Sequence, residues 1–363
     1  MKSPAYHMHP FLSRLLEHLV SPRIFVLLSG EHPSLPLAEL KAIIEAEHLP
    51  AHNLKTFLRI LSFQTSRHAP SIIAARSSYA QQCCLELYQT SLQYNNILSR
   101  IPEIPIHHYL RAGDTFAVRL QKLTPTPLSS SKLEAEIGRE LLNRVPGTRV
   151  NLTKPTITFQ GVLIHQIFLF GIRILEIARN RFETRKPINR PVRHPSTIPP
   201  KLARCLVNLA RVTTNSCVLD PFCGTGAFLI EAGLIGCHVI GCDINRTMIQ
   251  GCRRNLDHYL LSLRELLVAD AQSIALTTVD SVVTDPPYGR AASSHGIPIE
   301  SLVLNMLTNI ASFLSPRGYV VLVVPQGISW QQHISQIGYS VVETHLIREH
   351  KSLTREILIL KRG

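Results

Sequence analysis

Up to residue 178 the chain alternates between two spacings of apolar side chains. RIFVLLSG (23–30) is a continuous apolar run and predicts a strand, and LPLAELKAIIEAEHL (35–49) sets Leu37, Leu40, Ile43 and Ile44 at helical spacing. LKTFLRILSF (54–63) and SIIAARS (71–77) read as strands, and SYAQQCCLELYQTSL (78–92) as a helix. A second unit runs through DTFAVRLQKL (114–123), SSKLEAEIGRELLNRV (130–145) and VNLTKPTITFQGVLIHQIFLFGIRI (150–174). In it, Ser130 and Ser131 followed by Glu134 predict a helix start, and Pro146-Gly147 predicts its stop. Residues 179–200, RNRFETRKPINRPVRHPSTIPP, hold five prolines and no apolar periodicity, which predicts a linker.

From 201 onward the alternation becomes regular. LARCLVNLARV (202–212), GAFLIEAGLIG (226–236), TMIQGCRRNLDHYLL (247–261) and ESLVLNMLTNIASFL (300–314) predict helices. CVLD (217–220), HVIGCDI (238–244), LLVAD (266–270), DSVVTD (280–285), YVVLVVP (319–325), SVVETHLI (340–347) and EILILKR (356–362) predict strands. Short apolar strands alternating with helices predict an α/β fold with a mainly parallel sheet covered on both faces. In such sheets ligands sit beyond the carboxyl ends of the strands.

A chain of 363 residues exceeds what one hydrophobic core organises, and 45% apolar residues are enough to fill more than one. Eight cysteines occur without any C-x-x-C spacing, so neither a metal site nor a disulfide framework is expected, and the thiols suit buried positions in a reducing cytoplasm. The most apolar stretch, GVLIHQIFLFGIRILEIA (161–178), is broken by His165, Gln166, Arg173 and Glu176, so no membrane span is expected. The net charge of +13 is uneven: residues 1–200 carry 24 Lys and Arg against 13 Asp and Glu, residues 201–363 carry 14 against 12. An excess confined to the first half predicts a polyanionic partner, nucleic acid before acidic lipid. A basic surface that serves only solubility is the alternative reading of charge alone.

The predicted strand ends carry the candidate chemistry. Asp220 ends CVLD and precedes a loop with Gly224, Thr225 and Gly226, where backbone can approach a ligand that a side chain would repel. The loop lacks the G-x-G-x-x-G of dinucleotide sites and the lysine of phosphate loops. Asp243 closes the next strand, 17 residues after Gly226, where a carboxylate can accept both hydroxyls of a ribose. Asp270 closes the strand after that, and Asp285 follows VVT. Each acid alone reads more readily as a helix cap or a solvated acid, and the glycines as turn chemistry. The series of four is what argues for a site.

LDPFCGTGAFLIEA, GCDIN, VAD and TDPPYG together resemble motifs one to four of the Rossmann-like S-adenosylmethionine-dependent methyltransferases, and the D-P-P-Y tetrad is similar to that of the amine-methylating subset. The resemblance implies that Asp220 and the loop Cys223, Gly224, Thr225 and Gly226 hold the methionine part of the cofactor, Asp243 the ribose, and Ile244, Asp270 and Ala271 the adenine. An exocyclic amine conjugated to a purine ring is a poor nucleophile and has to be positioned. Asp285 and the carbonyl of Pro286 would each accept one of its N–H groups. Pro286 and Pro287 fix φ and remove N–H donors, and Tyr288 would stack on an extracted base.

That tetrad serves DNA adenine, DNA cytosine, RNA guanine and protein glutamine alike, so the first half has to choose. Residues 114–178 resemble a THUMP domain, a tRNA-binding module, and residues 23–113 the ferredoxin-like unit that precedes it. RHPSTIPPKLARCLVNLARV and HKSLTREILIL are similar to segments of the archaeal tRNA guanine-N2 methyltransferases acting at tRNA position 10. The resemblance implies methyl transfer to the N2 amine of a guanosine in tRNA, once or twice, by a cytoplasmic monomer with or without a partner subunit. A ribosomal RNA guanine-N2 methyltransferase is the runner-up, and a catalytically inactive THUMP RNA-binding protein the alternative outside enzymes. The expected division is 23–113, 114–178, a basic proline-rich linker over 179–200, and a Rossmann-like domain over 201–363. Arg185, Lys186, Arg190 and Arg193 of the linker, together with Arg290, are the expected phosphate contacts. The alternative is that the four linker residues only keep it solvated and that Arg290 is simply an exposed arginine. His295 reads as a solvated loop residue.

Overall fold

The computed structural model describes residues 19–178, 180–195, 197–287, 298–350 and 353–362. Two sheets organise them. The first is built from β1 (Arg23–Leu28), β2 (His52–Phe57), β3 (Ile60–Gln64), β4 (Ala80–Ser91), β5 (Thr115–Lys122), β6 (Arg149–Val150), β7 (Ile157–Ile164) and β8 (Ile167–Glu176), in the order β2-β3-β1-β4-β8-β7-β5-β6. It is covered by α1 (Leu35–Ala46), α2 (Ala69–Arg76), α3 (Tyr94–Ser99) and α4 (Ser130–Arg144). The long β4 pairs antiparallel with β8 from Gln82↔Glu176 to Ser91↔Ile167. Residues on either side of position 113 therefore share one sheet and one buried core, in which Phe63 and Ile73 join Phe116, Phe159 and Phe170.

Three local expectations change. LKTFLRILSF is a hairpin and not one strand, because Leu58 takes a left-handed φ of 52° at the tip and turns the chain back between Phe57 and Ile60. SIIAARS lies in helix α2, and SYAQQCCLELYQTSL forms strand β4, the reverse of the sequence reading. Pro70 sits in the first turn of α2, where its missing N–H costs nothing, and Ala69, Ile73 and Ala74 face inward. In β4, shifts of register at Cys83/Cys84 and Glu86/Tyr88 break the two-residue alternation, so its apolar residues imitate helical spacing. Pairing with β1 on one edge and β8 on the other decides the matter. Helix α4 begins as expected, except that Ser129 is the cap, its hydroxyl accepting from Lys132 N at 3.4 Å.

The second sheet contains β9 (Cys217–Asp220), β10 (His238–Asp243), β11 (Arg264–Val268), β12 (Val279–Thr284), β13 (Leu314–Pro325), β14 (Tyr339–His350) and β15 (Leu353–Arg362), ordered β11-β10-β9-β12-β13-β15-β14. Strands β9 to β13 pair in parallel, and β15 is antiparallel to both of its neighbours. Adjacent residues face opposite cores. Val218, Val239, Val283 and Val321 pack against α5 (Pro200–Leu209), α6 (Ala227–Gly233) and α7 (Arg246–His258). Leu219, Ile240, Val282 and Val320 pack against α8 (Ile299–Ile310) and α9 (Trp330–Gln336). The strand and helix order of this half follows the sequence reading, with α9 added.

The two halves meet where α1 lies on α5. Leu35, Ala38, Ala42 and Tyr79 belong to the same buried cluster as Ala203, Leu206 and Val207. At its centre the fully buried Asn208 donates to Glu39 Oε1 (2.8 Å) and to the Arg76 carbonyl (3.1 Å), and accepts from Arg76 Nη2 (3.1 Å). No helix among the described residues is long and apolar enough to cross a membrane.

Candidate active site

The chain order of the parallel strands reverses at β9, with β10 and β11 laid to one side and β12 and β13 to the other. This is the switch point at which an open α/β sheet leaves a crevice beyond its carboxyl ends. Because β11, β10, β9 and β12 are neighbours running the same way, Asp270, Asp243, Asp220 and Asp285 come to one edge in that spatial order. Three of them make the same local bond. Asp220 accepts from Phe222 N (3.2 Å), Asp243 from Asn245 N (2.8 Å) and Asp270 from Gln272 N (2.9 Å). Each of these acids closes a turn onto the amide two residues on, and the turn fixes its carboxylate at the sheet edge.

The glycine loop is tied to the end of β10. Cys223 N donates to the Cys242 carbonyl (2.8 Å) and Gly224 N to Asp243 Oδ2 (3.0 Å). Gly224 and Gly226 have φ of 49° and 89°, in the region that favours glycine. A Cβ on Gly226 would come within 2.7 Å of Cys252 Sγ on α7, whereas one on Gly224 would meet nothing within 4 Å. The backbone at Gly224 therefore lies bare toward open space beside an acid. The Cys223 thiol is free, hydrogen-bonded to the Cys252 thiol and buried, and both influences raise its pKa well above the usual thiol range. It is not a nucleophile at neutral pH.

Asp220 is fully enclosed and accepts Thr284 Oγ1 at 2.8 Å. Burial pushes its carboxyl up to about 8, Thr284 and Phe222 N oppose the rise, and the charges of Asp243 and Asp285 add to it. Burial also raises Asp243, against the N–H groups of Asn245 and Gly224 and the nearby His194. Asp285 is bound by Arg355, whose Nη1 donates to Oδ2 at 3.0 Å. Ile244 is 57% exposed at the end of β10, an apolar face open to a ring, and Ala271 is buried and can offer only backbone. Pro286 and Pro287 continue directly from Asp285, the first buried and the second partly so. An edge with acidic acceptors, a bare glycine backbone and a carboxyl that a neighbouring cation would ionise fits S-adenosylmethionine, which carries two cationic centres and a ribose.

The described residues between 180 and 200 form a packed strap. The fully buried Asn255 accepts from Val192 N (2.9 Å) and donates to the carbonyls of Val192 (3.0 Å) and Thr225 (2.9 Å), joining strap to glycine loop. Thr197 Oγ1 lies 3.3 Å from Thr225 Oγ1. The linker arginines are accordingly corrected. Arg185 forks onto the fully buried Glu231 (2.7 and 3.2 Å), which also takes Arg204 Nε (2.9 Å). Arg190 is 3% exposed, with Nε on the Arg185 carbonyl. Arg185 is thus engaged by a buried carboxylate and Arg190 is itself buried, so neither stands as a solvated charge at the surface. Lys186, paired with Glu183, and Arg193 remain at the surface. Tyr288, Arg290 and His295 lie outside the described residues.

Thr284, Asn255 and Arg355 were not singled out from the sequence. Thr284 stood one residue from Asp285, and Arg355 stood inside the quoted segment HKSLTREILIL.

A family model described as the RMKL-like methyltransferase domain matches residues 187–357, and a THUMP-domain model matches 94–172. TrmN from Thermus thermophilus has the same fold, with a TM-score of 0.55 at 19% identity over 94% of this chain and 100% of that one. SMU.472, crystallised with SAH, likewise shares the fold with a TM-score of 0.53 at 12% identity over 95% of this chain and 99% of that one. The tRNA (guanine(10)-N2)-dimethyltransferase of Methanocaldococcus jannaschii is 31% identical, covering 92% of this chain and 98% of its own. That of Methanothermobacter thermautotrophicus is 35% identical, covering 93% of this chain and 99% of its own. At 31–35% identity over more than nine-tenths of this chain and of each relative, the chain belongs to the family of the tRNA (guanine(10)-N2)-dimethyltransferases.

Proposed function

We infer that the protein methylates the exocyclic N2 amine of the guanosine at tRNA position 10, twice in succession, with S-adenosylmethionine as donor. The observation that carries the reading is the alignment of Asp270, Asp243, Asp220 and Asp285 on four adjacent strand ends, the last followed by Pro286 and Pro287. When bound, S-adenosylmethionine supplies a methyl group on a cationic sulfur. Asp243 is the acceptor for the ribose hydroxyls, Ile244, Asp270 and Ala271 border the adenine, and Asp220 with the 223–226 loop meets the methionine part. Asp285 accepts one N–H of the guanine amine and the Pro286 carbonyl the other, which turns the nitrogen lone pair out of the ring plane. The Asp285 carboxylate is also placed to take the proton that nitrogen sheds. Tyr288 would stack on the base, and the basic THUMP half, with Lys186 and Arg193, would hold the RNA backbone.

The test is mass spectrometry of nucleosides and of ribonuclease fragments from unmodified tRNA incubated with full-length protein and cofactor. N2-methylguanosine and then N2,N2-dimethylguanosine should accumulate at position 10. Asp285→Ala should lower single-turnover transfer by roughly 10²- to 10⁴-fold, with cofactor affinity nearly unchanged. Product at another position, or Asp285→Ala transferring within a factor of two of the unmutated protein, would overturn the assignment.

A further inference from the structure

Arg355 is the third residue of β15, two strands away from the acid it touches. Because β13 lies between β12 and β15, the two backbones are two strand spacings apart, roughly 10 Å. Only a long side chain spans that gap. The crossing takes place where β13 ends, since Pro325 is the register partner of Arg355 and the chain then leaves through Gly327 with a φ of 103°. β15 runs against the parallel strands, so its beginning stands at the edge where β9, β10 and β12 finish. The one reversed strand thus delivers a cation to the acidic edge.

The contact is shielded as well as close. The Arg355 and Asp285 side chains are 15% and 19% exposed, so water and salt screen their attraction less than on an open surface. A guanidinium stays charged at every working pH and favours the anionic form of a carboxylate beside it. Binding one oxygen also sets the plane of the carboxylate, and with it the direction from which the acid can accept an amine N–H.

We propose that Arg355 is a positioning residue for methyl transfer, its guanidinium holding the Asp285 carboxylate in one plane before the target amine arrives. The proposal rests on the reading of Asp285 given above. It separates two tasks in the carboxy-terminal segment: the pairing of β15 with β13 and β14 is architectural, and Arg355 near its start serves the reaction.

The experiment is single-turnover transfer to unmodified tRNA by the full-length protein, with cofactor affinity measured by calorimetry on the same samples. Arg355→Ala should slow transfer roughly 10- to 100-fold, the scale for removing an orienting partner, while cofactor Kd and half-saturating tRNA change less than threefold. Added guanidinium at millimolar concentration should restore part of the rate in Arg355→Ala and none in Asp285→Ala. Arg355→Lys, which keeps the charge but loses the fork, should fall between Ala and the unmutated protein. The proposal is overturned if Arg355→Ala transfers within a factor of two of the unmutated protein. It is equally overturned if cofactor affinity falls as far as the rate, or if neither guanidinium nor the lysine variant recovers activity. Asp285→Ala, run in parallel, separates the two claims. If that variant also keeps its rate, the reading of Asp285 itself fails, and if it alone loses the rate, only the role of Arg355 does.

Discussion

Replacing Asp220 by asparagine should flatten the dependence of stability on pH. Asp220 Oδ1 accepts from Thr284 Oγ1 and Phe222 N, and an asparagine oxygen keeps both bonds while removing the ionisation. Burial holds the folded-state pKa at about 8, against an ordinary value of 3.8. The folded value lies above the unfolded one, so the native protein retains a proton that the unfolded chain has released across that window. Stability from this group is intact below about pH 4 and falls by about 1.4 kcal/mol per unit as the pH rises toward 8. From pH 5 to pH 7 the unmutated protein therefore loses about 3 kcal/mol that Asp220→Asn retains. The protein's single tryptophan, Trp330, is buried in the core beneath the same sheet, so its fluorescence follows urea unfolding of this half directly. The stability difference between variant and unmutated protein should grow with pH across the range. A difference equal at pH 5 and pH 7 to within about 0.5 kcal/mol would mean that Asp220 does not hold a proton in the folded state.

Asp243→Ala should weaken S-adenosylmethionine binding at least tenfold, since a charge-assisted bond is worth about 1.5–3 kcal/mol, and leave tRNA binding intact; unchanged calorimetric affinity would make GCDIN only a strand end. Asn208→Ala removes the amide that joins Glu39 and Arg76 across the two halves, and leaving those charges underpartnered should cost about 2–4 kcal/mol. A loss under about 0.5 kcal/mol by urea titration would show that the apolar packing of α1 on α5 suffices alone.

The local chemistry of the carboxy-terminal half was written in the sequence. Buried parallel strands are short apolar runs, and the acids stand at their ends because the chain turns there, so alternation with helices was enough to place Asp220, Asp243, Asp270 and Asp285 at strand termini. Periodicity misled at β4, where bulges altered the spacing and only pairing with β1 and β8 sets the conformation. It also could not see the hairpin at Leu58, an apolar residue in a conformation usually left to glycine or asparagine.

What only tertiary structure decided is which side chains meet. Sequence order runs Asp220, Asp243, Asp270, Asp285, whereas the order across the sheet is Asp270, Asp243, Asp220, Asp285, because strand neighbours are chosen by crossover connections and not by distance along the chain. The strap arginines looked like a solvated basic cluster until Glu231, a residue of α6, consumed Arg185. Arg355 is 70 residues from Asp285 and reaches it only because the last strand reverses and inserts beside β13. A sequence fixes the charge and the reach of such a side chain. Its partner depends on the packing of the whole sheet, to which every strand contributes.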